Sequence, residues 1–185
     1  VMRRLLIGLE LEPEWAERMA DWIDADDQAL PAGAEDAVYS SATPSYRTPN
    51  LPITSATELL ALVDFGAARY AKLHDEVKAA FAREFLQADG SIKESSQTGY
   101  ALAFSMGLIP DEMLGKSTEK FVGEIQRFNW HLATGFIGTP RLLPALNAAG
   151  RNDVAYRLLL TDTYPSWLFP VKNGATTMWE RWDGW

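Results

Sequence analysis

The sequence predicts an all-α fold built from paired antiparallel helices, as in a bundle or a helical toroid, on three observations. Apolar residues recur at three- and four-residue steps, helix start and stop signals punctuate the chain at short intervals, and the turns between them are brief. Tyr70, Leu73, Val77, Phe81 and Phe85 show the first most clearly, lying along one face of an amphipathic helix that Asp89-Gly90 closes with a turn.

Taken in order, VMRRLLIGLELEP reads as a helix. Its Arg pair and short apolar run resemble a signal peptide. Glu10 and Glu12 interrupt the run, however, and no small-residue cleavage site follows. Residues 24–52, rich in Pro, Ala, Asp, Ser and Thr, read as a long loop of the kind found near a site. Ser55 and Glu58 have capping-box spacing ahead of Leu59, Leu60, Leu62 and Val63, and Gly66 separates that helix from the next. Tyr100 to Met106 forms another, stopped by Gly107. Pro110-Asp111 opens a helix carrying Leu114, Phe121, Ile125 and Phe128. Thr139-Pro140 is an N-cap and first-turn pair for a helix ending at Gly150, and Asn152-Asp153 opens a final helix through Leu160. From Tyr164 onward Pro165, Pro170 and Gly174 break the helical pattern, so short β pieces are expected near the C-terminal end.

Composition narrows the function. The 185 residues are 47% apolar and 23% charged, which is globular composition. Seventeen Lys and Arg against 25 Asp and Glu give a net charge of -8, which speaks against nucleic-acid and anionic-membrane partners. No apolar run approaches the roughly 18 to 20 residues of a membrane span. With no Cys, disulfides, thiolate nucleophiles and Cys-based zinc sites are excluded. Only His74 and His131 offer imidazole, with no HxxxH pair, so neither a metal site nor a cofactor is expected. The absence of Cys suits the cytoplasm.

The chemistry concentrates in YPSWLFPVKNGATTMWERWDGW, which gathers Trp167, Trp179, Trp182 and Trp185 around Glu180, with Arg181 and Asp183 beside it. Sugars present apolar C–H faces to aromatic planes and hydroxyl rims to charged groups. Inverting glycoside hydrolysis needs a carboxylate that takes a proton from water on the face opposite the leaving group. A WxxW cluster by itself is more often a packing contact than a sugar platform, and a Glu beside an Arg is more often a salt bridge.

Four segments together resemble the bacterial α-L-rhamnosidase family: GATTMWERWD (174–183), YPSWLFPV (164–171), HLATGFIGTPRLLPAL (131–146) and SQTGYALAFSMGLIPDE (96–112). Weaker similarity reaches back to MADWIDADD from Met19. The resemblance implies part of an (α/α)6 barrel and inverting hydrolysis of terminal α-L-rhamnosyl residues. By the same resemblance Glu180 corresponds to the general base, and Trp179 and Trp182 surround the pocket. Asp21-Trp22 matches a GDW triplet, with Ala20 in place of Gly, whose aromatic faces the sugar. His131 opens the HLxTGF motif, either as a polar group at the pocket floor or as a satisfied buried histidine. Gly135, Gly138 and Thr139 are expected to shape a turn. Gln97 and Tyr100, near a helix start, are within reach of a sugar hydroxyl but are expected to serve capping and core instead. The expected partner is a rhamnoside or rhamnose-containing oligosaccharide.

The family's general acid sits in an upstream DERxGWxGD-like run, which has no counterpart here. An Asn-His-Tyr segment beyond ERWD is also absent. The chain is therefore expected to be the C-terminal half of a catalytic domain, incomplete at both ends and inactive alone. Its open apolar face would favour self-association. Asp21, Asp24 and Asp162 are the carboxyls that could complete a pair within these residues. The competing readings are another inverting glycosidase or a polysaccharide lyase on the same toroid, a non-catalytic carbohydrate-binding or interaction module, and a helical structural protein with no site.

Overall fold

The computed structural model describes residues 2–8 and 12–182 and divides the chain into two compact units, 1–77 and 78–185. Nine α-helices occur among the described residues, with no strand; the isolated bridge Leu86↔Ile92 is the β pairing seen there.

In the first unit α1 (Met2–Gly8) packs against α2 (Trp15–Ile23). The predicted N-terminal helix therefore holds through Gly8, while 9–11 lie outside the described residues. The core gathers Leu6, Trp15, Met19, Trp22, Tyr39, Leu62 and Phe65. Trp15 meets Phe65 edge-on at 5.0 Å, and the Arg18 and Arg69 guanidiniums cover its ring at 4.8 and 5.0 Å.

The expected long loop 24–52 is irregular except for the one-turn α3 (Asp36–Tyr39). Its backbone is tied down by side chains. Asp36 accepts from Thr48 N at 2.9 Å and Oγ1 at 2.8 Å, and Tyr46 donates to Ala61 O at 2.7 Å. The Ser55–Glu58 capping box forms, but it opens a 3-10 helix, Ala56–Ala61. Three residues per turn put Leu59 and Leu62 on one buried side and leave Leu60 exposed, so burial selects the tighter coil. Gly66 has φ +70 where α4 (Gly66–Phe85) begins, and α4 runs through the boundary between the units.

In the second unit α5 (Gln97–Ser105) packs on α6 (Leu114–Arg127) and α7 (Thr139–Ala148), and α7 packs on α8 (Asn152–Leu160). Phe121 of α6 stacks against Tyr100 at 5.4 Å and Phe104 at 5.5 Å. Phe121 and Ile125 are buried as their spacing predicts, while Leu114 and Phe128 stay exposed at the helix ends. Thr139 is not the N-cap. Gly138 holds that position, and the Thr139 hydroxyl donates to Gly135 O at 2.9 Å.

The β pieces expected after Tyr164 are replaced by α9 (Leu168–Lys172). Pro170 is its third residue, inside the first turn, where an N–H has no intrahelical acceptor to lose. Ser166 Oγ accepts from Phe169 N at 3.1 Å and caps the turn. Ala175 N then donates to Pro170 O at 3.0 Å and Gly174 N to Val171 O at 3.1 Å, a Schellman closure. That closure requires the left-handed conformation Gly174 adopts, φ +84.

Candidate active site

The second unit contains a cavity of about 730 Å³ between the 134–144 segment, Leu159, Tyr164, Trp167 and the 178–182 segment. Its lining is mostly apolar and aromatic, with Thr134, Thr139, Glu180 and Arg181 as polar exceptions. Glu180, Trp179 and Trp182 all line it. Glu180 is exposed, and its carboxylate has no hydrogen-bond or ion-pair partner among the described residues.

Each wall is fixed from the chain upward. Gln97, fully buried on the first turn of α5, donates through Nε2 to His131 O at 2.8 Å and accepts at Oε1 from Ala133 N at 2.9 Å. One amide thereby satisfies both polar edges of the 131–133 backbone. Leu132 N donates to Pro165 O at 3.1 Å, joining this strip to the aromatic segment. Gly138 admits no side chain, because a Cβ there would sit 2.4 Å from Thr98 Oγ1. Since the Thr139 hydroxyl is committed to Gly135 O, Thr134 Oγ1 donates in their 2.8 Å bond.

The aromatic wall is anchored at the same place. The Trp182 indole N–H donates to Thr134 O at 3.1 Å, and its ring meets Trp167 edge-on at 6.2 Å. Trp179 meets Phe169 at 6.5 Å and 82°, and Phe169 meets Tyr164 at 5.5 Å. These contacts place two tryptophans and a carboxylate at one mouth while leaving cavity surface for a ligand. Sequence reading did not single out Thr134 or Phe169, and it weighed Gln97 as a cap or a sugar contact rather than as a clamp on the 131–133 backbone. Gln97 stands next to the helix-capping Ser96, a position that also suits simple capping.

The remaining expected site residues are not among those that line this cavity. His131 does not line the cavity; Nδ1 bonds with Asn129 O and Nε2 with Thr163 Oγ1, each at 2.8 Å. Trp22 and Asp21 belong to the first unit and are buried, Trp22 packing on Tyr39 at 5.2 Å and Tyr46 at 6.4 Å. Among the carboxyls considered as a second member of a pair, Asp24 is also in the first unit. Asp162 bonds Lys172 at 2.6 Å, which holds its carboxyl below the usual range. Glu180 is thus the one acid among the described lining residues. Asp183 and Trp185 lie outside the described residues.

A helical scaffold holding a tryptophan-walled hollow, with one carboxylate that has no partner among the described residues, is suited to a carbohydrate ligand. Residues 10–185 match the bacterial α-L-rhamnosidase six-hairpin glycosidase domain, and the chain belongs to that family, whose fold is a helical toroid. The α-L-rhamnosidase of Streptomyces avermitilis is 39% identical over 168 residues, 91% of this chain and 15% of that protein. The crystal structure of the Streptomyces avermitilis enzyme complexed with L-rhamnose superposes with a TM-score of 0.63 at 35% identity, over 98% of this chain and 18% of that one. The chain thus spans less than a fifth of the rhamnosidases it matches. A protein of a different name, type II secretion system protein K of Klebsiella pneumoniae, is 30% identical over 155 residues, 82% of this chain and 46% of that protein.

Proposed function

We propose that this chain contributes part of a six-hairpin catalytic domain that hydrolyses terminal α-L-rhamnosyl residues with inversion, and that Glu180 is the general base. The observation that carries the reading is the unpaired Glu180 carboxylate at a cavity walled by Trp179 and Trp182. The rings take the apolar face of the sugar, and Glu180 takes a proton from the attacking water. The second carboxyl, the general acid, comes from residues other than those lining this cavity, since inversion needs two carboxyls about 6.5–9.5 Å apart. Exposed Phe136, Ile137 and Met178 near the cavity supply a surface for self-association.

The test uses an aryl rhamnoside and L-rhamnose. The chain alone binds rhamnose without turnover. In a protein that supplies the acid, Glu180→Gln lowers kcat by orders of magnitude while rhamnose affinity holds. Turnover by the 185-residue chain that disappears in Glu180→Gln would place the acid within it. An active Glu180→Gln enzyme would remove the base assignment.

Trp22→Phe tests whether the first unit takes part in sugar binding. Rhamnose affinity falls if Trp22 faces the sugar and is unchanged if it does not.

A further inference from the structure

The first unit holds a concentration of chemistry that the sugar site does not use. As the chain leaves α2, Asp24, Asp26 and Glu35 each bring a carboxylate oxygen within 4.8 Å of the other two. Glu35 is only 5% exposed, and neither of its oxygens has a hydrogen-bond partner. Asp24 Oδ1 is likewise buried and unpartnered, as is Oδ1 of the fully buried Asp21 at the end of the same helix.

A carboxylate stripped of water and given no donor is strongly unfavourable, more so beside others of its kind. Desolvation, then repulsion from Asp21, Asp24, Asp26 and Asp27, pushes the Glu35 carboxyl up. The nearby arginines do not relieve this. Arg18 bonds Ala32 O and Val63 O, and Arg47 pairs with Asp36.

The loop is nevertheless folded to hold these acids together. Asp21 Oδ2 accepts from Leu30 N at 3.1 Å, Glu17 from Ala32 N at 3.0 Å, and Asp26 Oδ1 from Gln28 N at 2.9 Å. Gly33 lies so close to the Asp21 carboxylate that a Cβ would overlap it at 1.8 Å. Backbone hydrogen bonds and a glycine thus enforce an arrangement that electrostatics opposes, which is the balance expected where a cation supplies the missing counter-charge.

We propose that Asp24, Asp26 and Glu35 bind a calcium-sized divalent cation that fastens the 24–35 loop to the end of α2. The donors are hard carboxylate oxygens, the set calcium takes. The three oxygens lie within 4.8 Å of one another, close enough for one ion to reach all of them. Three protein carboxylates favour calcium, because magnesium usually keeps several of its waters and takes one or two carboxylates. Asp26 is exposed, which gives the ion an entry path and room for water ligands. The scarcity of His and Cys argues against softer metals only.

The experiment uses the 185-residue chain after chelator treatment. Thermal unfolding is followed with added calcium or magnesium, and terbium luminescence is excited through tryptophan, Trp22 lying two residues before Asp24. Calcium raises Tm saturably and displaces terbium, while magnesium at equal concentration does far less. Glu35→Gln and Asp26→Asn each weaken binding at least tenfold. Asp26 is on the surface, so its variant remains folded if Glu35→Gln does not. Absence of any calcium response at millimolar concentration, an equal response to magnesium, or full retention of the response in both variants would overturn the proposal.

Discussion

Gln97 gives the sharpest test of how the cavity is held. Its side chain is fully buried and makes two hydrogen bonds, to His131 O at 2.8 Å and from Ala133 N at 2.9 Å. Gln97→Met keeps the length and approximate volume and removes both. The two backbone groups are then left without partners, and each orphaned group costs about 1–3 kcal/mol. The combined cost is about 2–6 kcal/mol, above what the change in side-chain packing would contribute. The effect is local, so hydrogen exchange reads it best. The Ala133 amide should exchange roughly thirtyfold faster or more, since about 1.4 kcal/mol is tenfold. Rhamnose affinity should fall with it, because the adjoining Thr134 carbonyl anchors Trp182. Gln97→Glu, which keeps the acceptor for Ala133 N but at neutral pH lacks the donor, separates the two bonds. If Ala133 exchange and rhamnose affinity are both unchanged in Gln97→Met, the clamp does not hold this wall.

Three further outcomes follow from the same geometry. Trp182→Phe removes the 3.1 Å bond to Thr134 O and should cost about 1–2 kcal/mol by thermal unfolding, with weaker rhamnose binding by calorimetry. Gly138→Ala should destabilise by about 1–3 kcal/mol, because its Cβ would stand 2.4 Å from Thr98 Oγ1; Thr98→Ala should recover part of that loss in the double variant. Arg151, bonded to both Asp153 oxygens at 2.9 and 2.7 Å, lowers the Asp153 carboxyl to about 2. The depressed value means the pair stabilises fully above about pH 4, the unfolded range, and loses its contribution as pH falls toward 2. Asp153→Asn should therefore show a shallower fall in Tm between those limits than the parent chain.

Helix starts and stops were legible because they rest on single-residue chemistry. Gly107, Gly150 and Gly174 each adopt the positive φ that closes a helix, and Asn152 opens α8 where the sequence places it. Two elements were misread for one reason. Pro170 and the Ser55–Glu58 box were judged by their ordinary meaning, breaker and α-helix cap. Whether a proline interrupts depends on which turn it occupies, and whether a cap opens an α- or a 3-10 helix depends on which leucines find a core. The acid cluster was missed because Asp24, Asp26 and Glu35 are spread over twelve positions of a loop with no periodicity, and only the folded backbone brings them together.

The two acid–tryptophan dipeptides show where local reading stops. Asp21-Trp22 and Trp179-Glu180 are equivalent as sequence, each a carboxylate beside an indole in a segment matching a family motif. In the fold they part. Trp22 lies on a regular helix whose periodic neighbours Trp15 and Met19 are also buried, so its ring follows them into the core, where Tyr39 and Tyr46 close on it. Trp179 and Trp182 follow a helix that ends at Lys172, in a stretch with no period to obey. Trp182 is partly buried against the core of the second unit, hydrogen-bonded to Thr134 O and edge-on to Trp167, and it still lines the cavity. An aromatic on a helix is claimed by its i±3 and i±4 partners, whereas an aromatic in an irregular segment is free to face a ligand when a few directional contacts hold it. On that argument Trp179 and Trp182 are rings left available to a ligand in the second unit, and under the proposed function Trp179→Ala should weaken rhamnose binding measured by calorimetry.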